Sequence, residues 1–409
     1  MEPRFRAAYN AAFTPRSYER YKRNLRERLG CEAGFRLAET PVFVPLDLVA
    51  NCERAASEIV TQLAEPARRE QLRAAVPARF DAGVREGKPQ FAVVDFGIVR
   101  TPEGSFEPRV VELQGFPSLL AFEMLQYEAW ARELEAIMPE HAWACWHGGR
   151  DGPAFLELAR RAIVGDADPA EVALVDFEPE RQKTYCDFAA TRLLFGVEPC
   201  DPRALYVRRS RLYRRDAAGR ERPVTRIYNR MVGDDLERFA DALPFDVRDE
   251  LEVTWAPHPA WFWQWSKASL PRLDHPAVAP TRLVSEYVAG DGPALADCVL
   301  KPLFSFAGAG VNLRPTSADL AAIPSASRSG WCVQERISYA AAFETPAGAP
   351  VKVELRVLLV RPDDAAELLP AINLCRLARG EMLGVNFNRD HTWVGSSLGI
   401  WKMRPDARA

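Results

Sequence analysis

The sequence has 409 residues, of which 48% are hydrophobic and 27% are charged, and its formal net charge at pH 7 is −3. These proportions are ordinary for a globular protein, and they exclude a disordered chain, a collagen and a coiled coil. The near balance of acidic and basic side chains argues against a general nucleic-acid coat and a membrane-surface protein. This length predicts two or three domains of roughly 100–200 residues each.

The sequence also indicates where the protein resides. It holds no apolar run near the roughly 20 residues that a membrane-spanning helix needs, and residues 1–13 lack the apolar stretch of a secretory signal. Eight cysteines are scattered along the chain without a C-x-x-C pair, which predicts neither a disulfide framework nor a zinc site. We therefore expect a cytoplasmic protein without a membrane partner.

The first third of the chain is predicted as helices around one β-hairpin. Helices are expected where apolar side chains recur at helical spacing, in residues 17–30, 46–79 and 119–137. The hairpin joins the apolar run FAVVDFGIV (91–99) to PRVVELQ (108–114), and the turn between them contains a glycine.

A small α/β unit is predicted from about residue 155 onward. A helix at 155–163 precedes the hydrophobic strand EVALVDF (171–177), and a second helix near 180–195 leads into a short strand. This alternation of strands and helices is typical of parallel sheets. A third region contains strand-like segments at residues 298–313, 330–337 and 351–360.

The third region carries the strongest candidate for anion binding. A buried strand delivers Lys301, and a loop with Gly308 and Gly310 follows it. Glycines let a backbone approach phosphates closely, and a lysine on a strand supplies a fixed charge beside them. No G-K-[ST] follows the glycines, so this is not a Walker A loop. A plain flexible hairpin loop is the alternative.

Two later strands carry polar side chains in apolar surroundings. WCVQERI (331–337) suits an adenine-binding hinge, or equally an ordinary edge strand. Glu354 and Arg356 are two residues apart on one strand and point to the same face. Burial without a partner would be unfavourable for both, so they either form an ion pair or face a ligand.

The hairpin carries oxygen ligands that suit a divalent cation. Asp95 lies on its first strand, and Glu112 and Gln114 share one face of its second strand. Mg²⁺ is usually held by one or two carboxylates together with substrate phosphates. By itself, Asp95 is equally consistent with the start of a turn.

Taken in order, these motifs resemble the ATP-grasp superfamily of the glutathione synthetase type. Lys267, Lys301 with its loop, QERI, ELRVLLV and LCRLARGEMLGVNFN look like its successive strands. The family's strand pair with acidic metal ligands normally comes last, whereas here it is similar to the early hairpin. The order therefore resembles circularly permuted ATP-grasp proteins related to glutathionylspermidine synthetase, over roughly residues 88–400. Termini that lie close in space make such a permutation physically tolerable. The permuted order predicts that the 91–114 hairpin lies in one sheet with the strands at 351–360 and 371–377.

The resemblance implies an α/β (α+β ATP-grasp) fold with an inserted Rossmann-like unit. The implied divisions are a helical region (1–87), a metal-binding part (88–154), a pre-ATP-grasp α/β unit (155–260), a nucleotide lid (261–345) and remaining core strands (346–409). The implied cofactors are ATP and Mg²⁺.

The resemblance also implies roles for individual residues. Nucleotide binding falls to two lysines, the glycine loop, the adenine hinge and a ribose acceptor: Lys267, Lys301, Gly308, Gly310, Gln334, Glu335, Arg336, Ile337 and Glu354. Arg356 and Arg376 match catalytic arginines beside the γ-phosphate and the reacting carboxylate. The implied metal ligands are Asp95, Glu112 and Gln114, although asparagine is usual at the last position.

The function that follows is an ATP-dependent ligase that joins a carboxylate to an amine through an acylphosphate. The carboxylate is expected to be an amino acid or a peptide-like molecule. A kinase on the same fold and a non-catalytic ATP-binding protein are the alternatives, since a fold does not fix a reaction. Residues 203–230 contain ten arginines, for which a solvated hairpin face is favoured over a nucleic-acid surface. Homo-oligomerisation is left open.

Overall fold

The computed structural model describes residues 1–83, 87–288, 292–305, 308–381, 383, 388 and 390–403. Its α-helices are α1 (Pro3–Ala12), α2 (Pro15–Leu29), α3 (Leu46–Leu63), α4 (Pro66–Arg73), α5 (Leu120–Ile137), α6 (Gly152–Ile163), α7 (Tyr185–Phe195), α8 (Gly233–Phe239), α9 (Trp261–Gln264) and α10 (Ser317–Ala322). Among these described helices, none has the length and apolar composition that a bilayer span requires.

The strands in the described chain are mostly short. They are β1 (Val42–Phe43), β2 (Phe91–Arg100), β3 (Phe106–Gln114), β4 (Trp143–Ala144), β5 (Val172–Val175), β6 (Pro199–Cys200), β7 (Tyr206–Arg208), β8 (Arg211–Arg215), β9 (Glu221–Val224), β10 (Arg226–Asn229), β11 (Thr254–Ala256), β12 (Thr281–Leu283), β13 (Cys298–Pro302), β14 (Trp331–Glu335), β15 (Ala341–Glu344), β16 (Pro350–Val360), β17 (Leu369–Ala378), β18 (Gly395–Ser397) and β19 (Gly399–Lys402).

The central sheet joins the early hairpin to strands near the C-terminal end of the described chain. Its order is β18-β17-β16-β2-β3, and all pairings are antiparallel. β15 also pairs with the N-terminal part of β16, on the same edge that β2 occupies further along. The register places Asp95 between Glu112 on β3 and Arg356 on β16. The prediction that the hairpin and the 351–360 strand share one sheet is therefore confirmed.

Alternation along β16 gives this sheet two chemically different faces. Val353, Leu355 and Val357 are fully buried and belong to the main hydrophobic core, together with side chains of α3, α5 and α6. Glu354 and Arg356 alternate with them and therefore point to the opposite face. Helices cover one face of the sheet, and polar side chains lie on the other.

A separate four-stranded sheet has the order β11-β10-β5-β6, and all its pairings are parallel. This agrees with the parallel strands predicted for the α/β unit. After β5 the chain forms β6 on one side of β5, and the later strands β10 and β11 lie on its other side. A reversal of this kind leaves a crevice at the carboxyl ends of β5 and β10.

The third sheet lies beside the central one and has the antiparallel order β12-β14-β13. Its strands carry three predicted site residues, Lys301 on β13 and Gln334 and Glu335 on β14. Lys301 pairs with Cys332, and Gln334 lies two residues further along β14, so the two polar side chains share a face.

The long predicted helix at 46–79 is wrong as a single element. The chain divides it into α3 and α4 at Pro66, because proline lacks the N–H that a helix interior needs and is tolerated only in a first turn. Residues 78–80 then form a separate short 3₁₀ turn.

The arginines of residues 203–230 are largely paired with acidic neighbours. Arg208 binds Glu221 across the β7-β8-β9 sheet, and Arg220 and Arg222 both contact Asp216. Arg230 forms a buried ion pair with Asp187, whose other oxygen accepts the first N–H groups of α5. These pairings agree with the expectation of a solvated hairpin face.

Candidate functional site

Four ionic side chains meet on the polar face of the central sheet. Arg356 donates from Nε and Nη2 to the two oxygens of Asp95, at 2.6 and 2.7 Å. Arg376 donates from Nη2 to Asp95 Oδ2 at 2.6 Å and also binds Glu354. The register explains the cluster, because Asp95 lies opposite Arg356 and Glu354 lies opposite Arg376. Cross-strand partners and residues two apart share a face.

Glu112 adds a third carboxylate at the edge of this cluster. Its Oε1 lies 3.9 Å from Arg356 Nη2 and 3.8 Å from Arg376 Nη2. Gln114 donates its amide N–H to the same oxygen at 3.1 Å. Glu112 is therefore held by the cluster more loosely than Asp95, and it keeps one oxygen directed toward Lys267 Nζ, 3.5 Å away.

The two buried carboxylates of the cluster have opposite pKa shifts. Burial alone raises the pKa of Asp95, but Arg356 and then Arg376 outweigh it and lower that pKa to about 2. Burial also raises the pKa of Glu354, and here Arg376 does not fully offset it, since Asp95 and Glu112 add negative charge nearby. Asp95 is thus the firmly ionised member of the pair.

Arginine side chains engage Asp95, one of the three predicted Mg²⁺ ligands. Both Asp95 oxygens already accept hydrogen bonds from guanidinium groups, which a cation would have to displace. Within the described part of the chain, no three His, Cys, Asp or Glu side chains are grouped to hold a metal ion. In this arrangement Asp95 orders two arginines, and Mg²⁺ binding by Asp95, Glu112 and Gln114 stays a prediction.

A cavity of about 840 Å³ opens between the central sheet and the β12-β14-β13 sheet. Its described lining includes six cationic and three acidic side chains, namely Lys267, Lys301, Arg314, Arg336, Lys352 and Arg376 against Glu112, Glu354 and Glu381. This excess of positive charge suits an anionic ligand rather than a cation.

The two predicted nucleotide-binding lysines both line this cavity and are nearly buried. Lys301 donates to Gln334 Oε1 at 2.6 Å and to the Val111 carbonyl at 3.3 Å. Lys267 donates to the Ser305 carbonyl at 2.6 Å. Burial lowers the pKa of Lys301, and the nearby charge of Lys267 contributes in the same direction. An anion between the two lysines would relieve this repulsion.

The predicted adenine hinge is divided by the structure. Gln334, Arg336 and Ile337 line the cavity, whereas Glu335 is exposed and is not among its described lining residues. Gln334 is 1% exposed, and its Nε2 has no hydrogen-bond partner among the described residues. A buried N–H without a partner is unfavourable by about 1–3 kcal/mol, so a ligand acceptor there would be stabilising.

The glycine loop contributes one wall residue. Gly308 lines the cavity, and Gly310 does not appear in its described lining. Both glycines have φ near +75°, at 78° and 72°, a conformation that other residues resist. Residues 306 and 307 of this loop, and residues 382 and 384–387 of the predicted LCRLARGEMLGVNFN motif, lie outside the described residues.

Tyr339 was not identified from the sequence. Its hydroxyl donates to Glu354 Oε2 at 2.7 Å, and its ring lies against Gly97 on β2. A Cβ on Gly97 would come within 2.9 Å of that ring. Gly97 could have indicated this contact from the sequence, since a glycine inside an apolar strand often marks a place where another group approaches the backbone closely. Lys352, whose Nζ donates to the Gly380 carbonyl at 3.1 Å, was also missed.

A search of solved structures places this architecture among known folds. The chain matches a glutathione synthetase-like effector from Globodera pallida in its apo form, with a TM-score of 0.57 and 11% sequence identity, over 97% of this chain and 99% of that chain. The two chains share a fold. No protein-family model matches the sequence, and no curated protein sequence does.

The match extends over nearly the whole chain. The likeness to a glutathione synthetase-like protein agrees with the type of fold that the sequence motifs suggested. At 11% identity it concerns architecture alone, because one fold supports many activities.

Proposed function

We propose that the protein is an ATP-dependent ligase that joins a carboxylate to an amine. The observation that carries this proposal is the cationic cavity, where Lys267 and Lys301 meet the central sheet beside Glu112. The fold shared with a glutathione synthetase-like effector supports it. In this proposal the fold is a circularly permuted ATP-grasp, with the β2–β3 hairpin next to β16 as the displaced strand pair.

The cavity suggests a position for each part of the nucleotide. The triphosphate would lie against Lys267 and Lys301, with Gly308 above it. The adenine would reach Gln334, whose free Nε2–H is a donor for a ring nitrogen. Glu354 would accept from the ribose through the lone pairs that Tyr339 and Arg376 leave unused. Catalysis would consist mainly of positioning and neutralising charge.

The proposed reaction has two steps. A carboxylate oxygen attacks the γ-phosphorus, forming one P–O bond, while the bond from that phosphorus to the β-phosphate oxygen breaks and ADP leaves. The amine nitrogen then attacks the acyl carbon, the C–O bond to phosphate breaks, and the nitrogen loses a proton to solvent. Arg376 and Arg356 would stabilise the acylphosphate and the tetrahedral intermediate.

A non-catalytic nucleotide-binding protein is the second candidate. The observation that favours it is the Asp95–Arg356–Arg376 cluster, because the two arginines occupy the Asp95 carboxylate that was predicted to bind the catalytic metal. The two candidates share the cavity and differ only in turnover.

An ADP-release screen with ATP and MgCl₂ over amino acids, short peptides and polyamines separates these candidates. The ligase predicts ADP, phosphate and an amide that mass spectrometry detects. ADP with a phosphorylated product would indicate a kinase instead. ATP binding without ADP release under any condition would leave the non-catalytic candidate, and neither binding nor release would overturn the proposal.

A further inference from the structure

A second cavity of about 370 Å³ lies on the other side of Arg376. It shares Arg376 and Leu383 with the larger cavity, so the two are neighbours. Its volume is near the lower end of small-molecule sites, which range from roughly 300 to 1,000 Å³. A small ligand in it would therefore lie directly beside a ligand in the larger cavity.

The described wall of this cavity combines apolar side chains with positive charge. The apolar residues are Phe35, Leu119, Leu374, Leu377, Leu383 and Val394. Three arginines also line it, Arg36, Arg356 and Arg376, and no Asp or Glu is among the described lining residues. Each arginine also pairs with a carboxylate behind the wall, namely Glu39, Asp95 or Glu354. Such a wall suits an anion that carries an apolar body.

Two polar atoms at this wall are buried and have no hydrogen-bond partner among the described residues. They are Oγ of Ser396 and Nε of Arg376. Ser396 on β18 lies opposite Arg376 on β17, so both side chains stand on the same face of the sheet. Since each unpaired buried donor is unfavourable, a ligand oxygen that accepts from both would be stabilised at this point.

The backbone beside these donors is fixed in uncommon conformations. Leu119, just before α5, has φ of 59°, a left-handed value that a branched residue seldom adopts. Gly395 has φ of 118°, and a Cβ there would meet the Arg36 carbonyl oxygen at 2.4 Å. Strain of the kind seen at Leu119 clusters at ligand sites.

We propose that this second cavity binds the carboxylate substrate, and that this substrate is a small monocarboxylic acid with an apolar side chain. The inference rests on the proposed ligase function. The carboxylate accepts hydrogen bonds from Arg376 Nε and Ser396 Oγ, and the apolar part packs against Leu119, Leu374 and Val394. Arg376 separates the two cavities, so it places that carboxylate next to the phosphates in the larger one.

The first test measures binding without turnover. Thermal shift and calorimetry on the full chain use 4-methylpentanoate as the probe, with 4-methylpentanol to remove the charge and succinate to add a second one. We expect a shift with 4-methylpentanoate and none with the other two. Equal binding of succinate, or no binding of 4-methylpentanoate, would overturn the assigned substrate class.

Variants then locate the site. Ser396→Leu fills the cavity and should abolish the 4-methylpentanoate shift while the ATP shift is retained, which also shows that the variant folds. Ser396→Ala removes only the hydroxyl and should weaken acid binding about tenfold. Ser105→Leu, in the exposed turn of the hairpin, is the matched control and should change neither. Unchanged acid binding in Ser396→Leu would overturn the location.

Different results would contradict the assigned substrate class and the proposed ligase function. ADP release with polar acids only would contradict the apolar substrate and leave the ligase intact. Absence of an ATP shift in the wild type would contradict the ligase itself, and with it the role of the acid as a substrate.

Discussion

Arg356 binds Asp95 through two parallel hydrogen bonds, of 2.6 and 2.7 Å, from a position 261 residues further along the chain. Both side chains are almost completely buried. This pair fastens the β2–β3 hairpin to β16, and the second Asp95 oxygen also orders Arg376 between the two cavities. A bidentate pair of this geometry is among the stronger side-chain interactions.

The Asp95–Arg356 pair is expected to contribute measurably to stability. Asp95→Asn leaves Arg356 without its bidentate carboxylate and Arg376 with Glu354 alone. It should destabilise the fold by about 3–5 kcal/mol in urea unfolding. Arg208→Ala breaks the exposed pair with Glu221 and should change the free energy of unfolding little. Similar effects from both variants would contradict the structural role of Asp95.

Lys301 is expected to be necessary for nucleotide binding. It supplies a nearly buried charge to the wall of the larger cavity, so Lys301→Ala should abolish the ATP-induced rise in melting temperature or weaken it strongly. Lys183→Ala, at an exposed position away from that wall, is the control and should retain the full shift. An unchanged shift in Lys301→Ala would show that ATP does not bind in this cavity.

Divalent cations alone are expected to have little effect. Because guanidinium groups occupy both Asp95 oxygens, MgCl₂ without nucleotide should leave the melting temperature nearly unchanged. Thermal shift with MgCl₂ in place of EDTA, in the absence of ATP, measures this. A rise of several degrees would mean that the cluster rearranges around a cation and that the assignment from sequence was right.

Asp176 should make stability fall as pH rises. It follows β5 at the crevice of the parallel sheet, where burial raises its pKa to about 8, against a partial opposing effect of Arg230 and with Asp235 and Asp201 adding to the rise. The folded state then binds more protons than the unfolded state between pH 3.8 and about 8. Stability should therefore decrease across that window, by at most about 1.4 kcal/mol per pH unit.

Asp176→Asn isolates this contribution. Urea unfolding at a series of pH values should show a flatter profile for the variant, which gains most over the wild type near pH 8. Parallel profiles for the two proteins would show that Asp176 is ionised in the folded state at neutral pH.

Patterns of apolar residues sufficed to predict most elements of the fold. The run at 91–99 and the alternation in VKVELRVLLV have the period of strands, and both are strands. Their pairing was expected only from the order of motifs, since nothing local requires segments so far apart to meet. The end of α3 before Pro66 was not predicted, because apolar residues at helical spacing occur on both sides of this proline.

The candidate site could be predicted only as a set of residue types. Lys267, Lys301, Gln334 and Glu354 were expected around one ligand, and the structure brings them to one cavity. The sequence could not show that Asp95 faces Arg356, because that contact depends on the register between β2 and β16. For the same reason Ser396, which pairs with Arg376 across β17 and β18, was not considered.

Transfer of an isotope tests the central claim most directly. The protein is incubated with ATP, MgCl₂, carboxylic acids labelled with ¹⁸O in the carboxyl group, and a mixture of amines, and the released phosphate is analysed by mass spectrometry. An acylphosphate predicts that each phosphate carries one ¹⁸O from the acid and that an amide forms in equal amount, with neither product from Lys301→Ala. Release of unlabelled phosphate, or labelled acid recovered intact beside ADP, would contradict the proposed ligase.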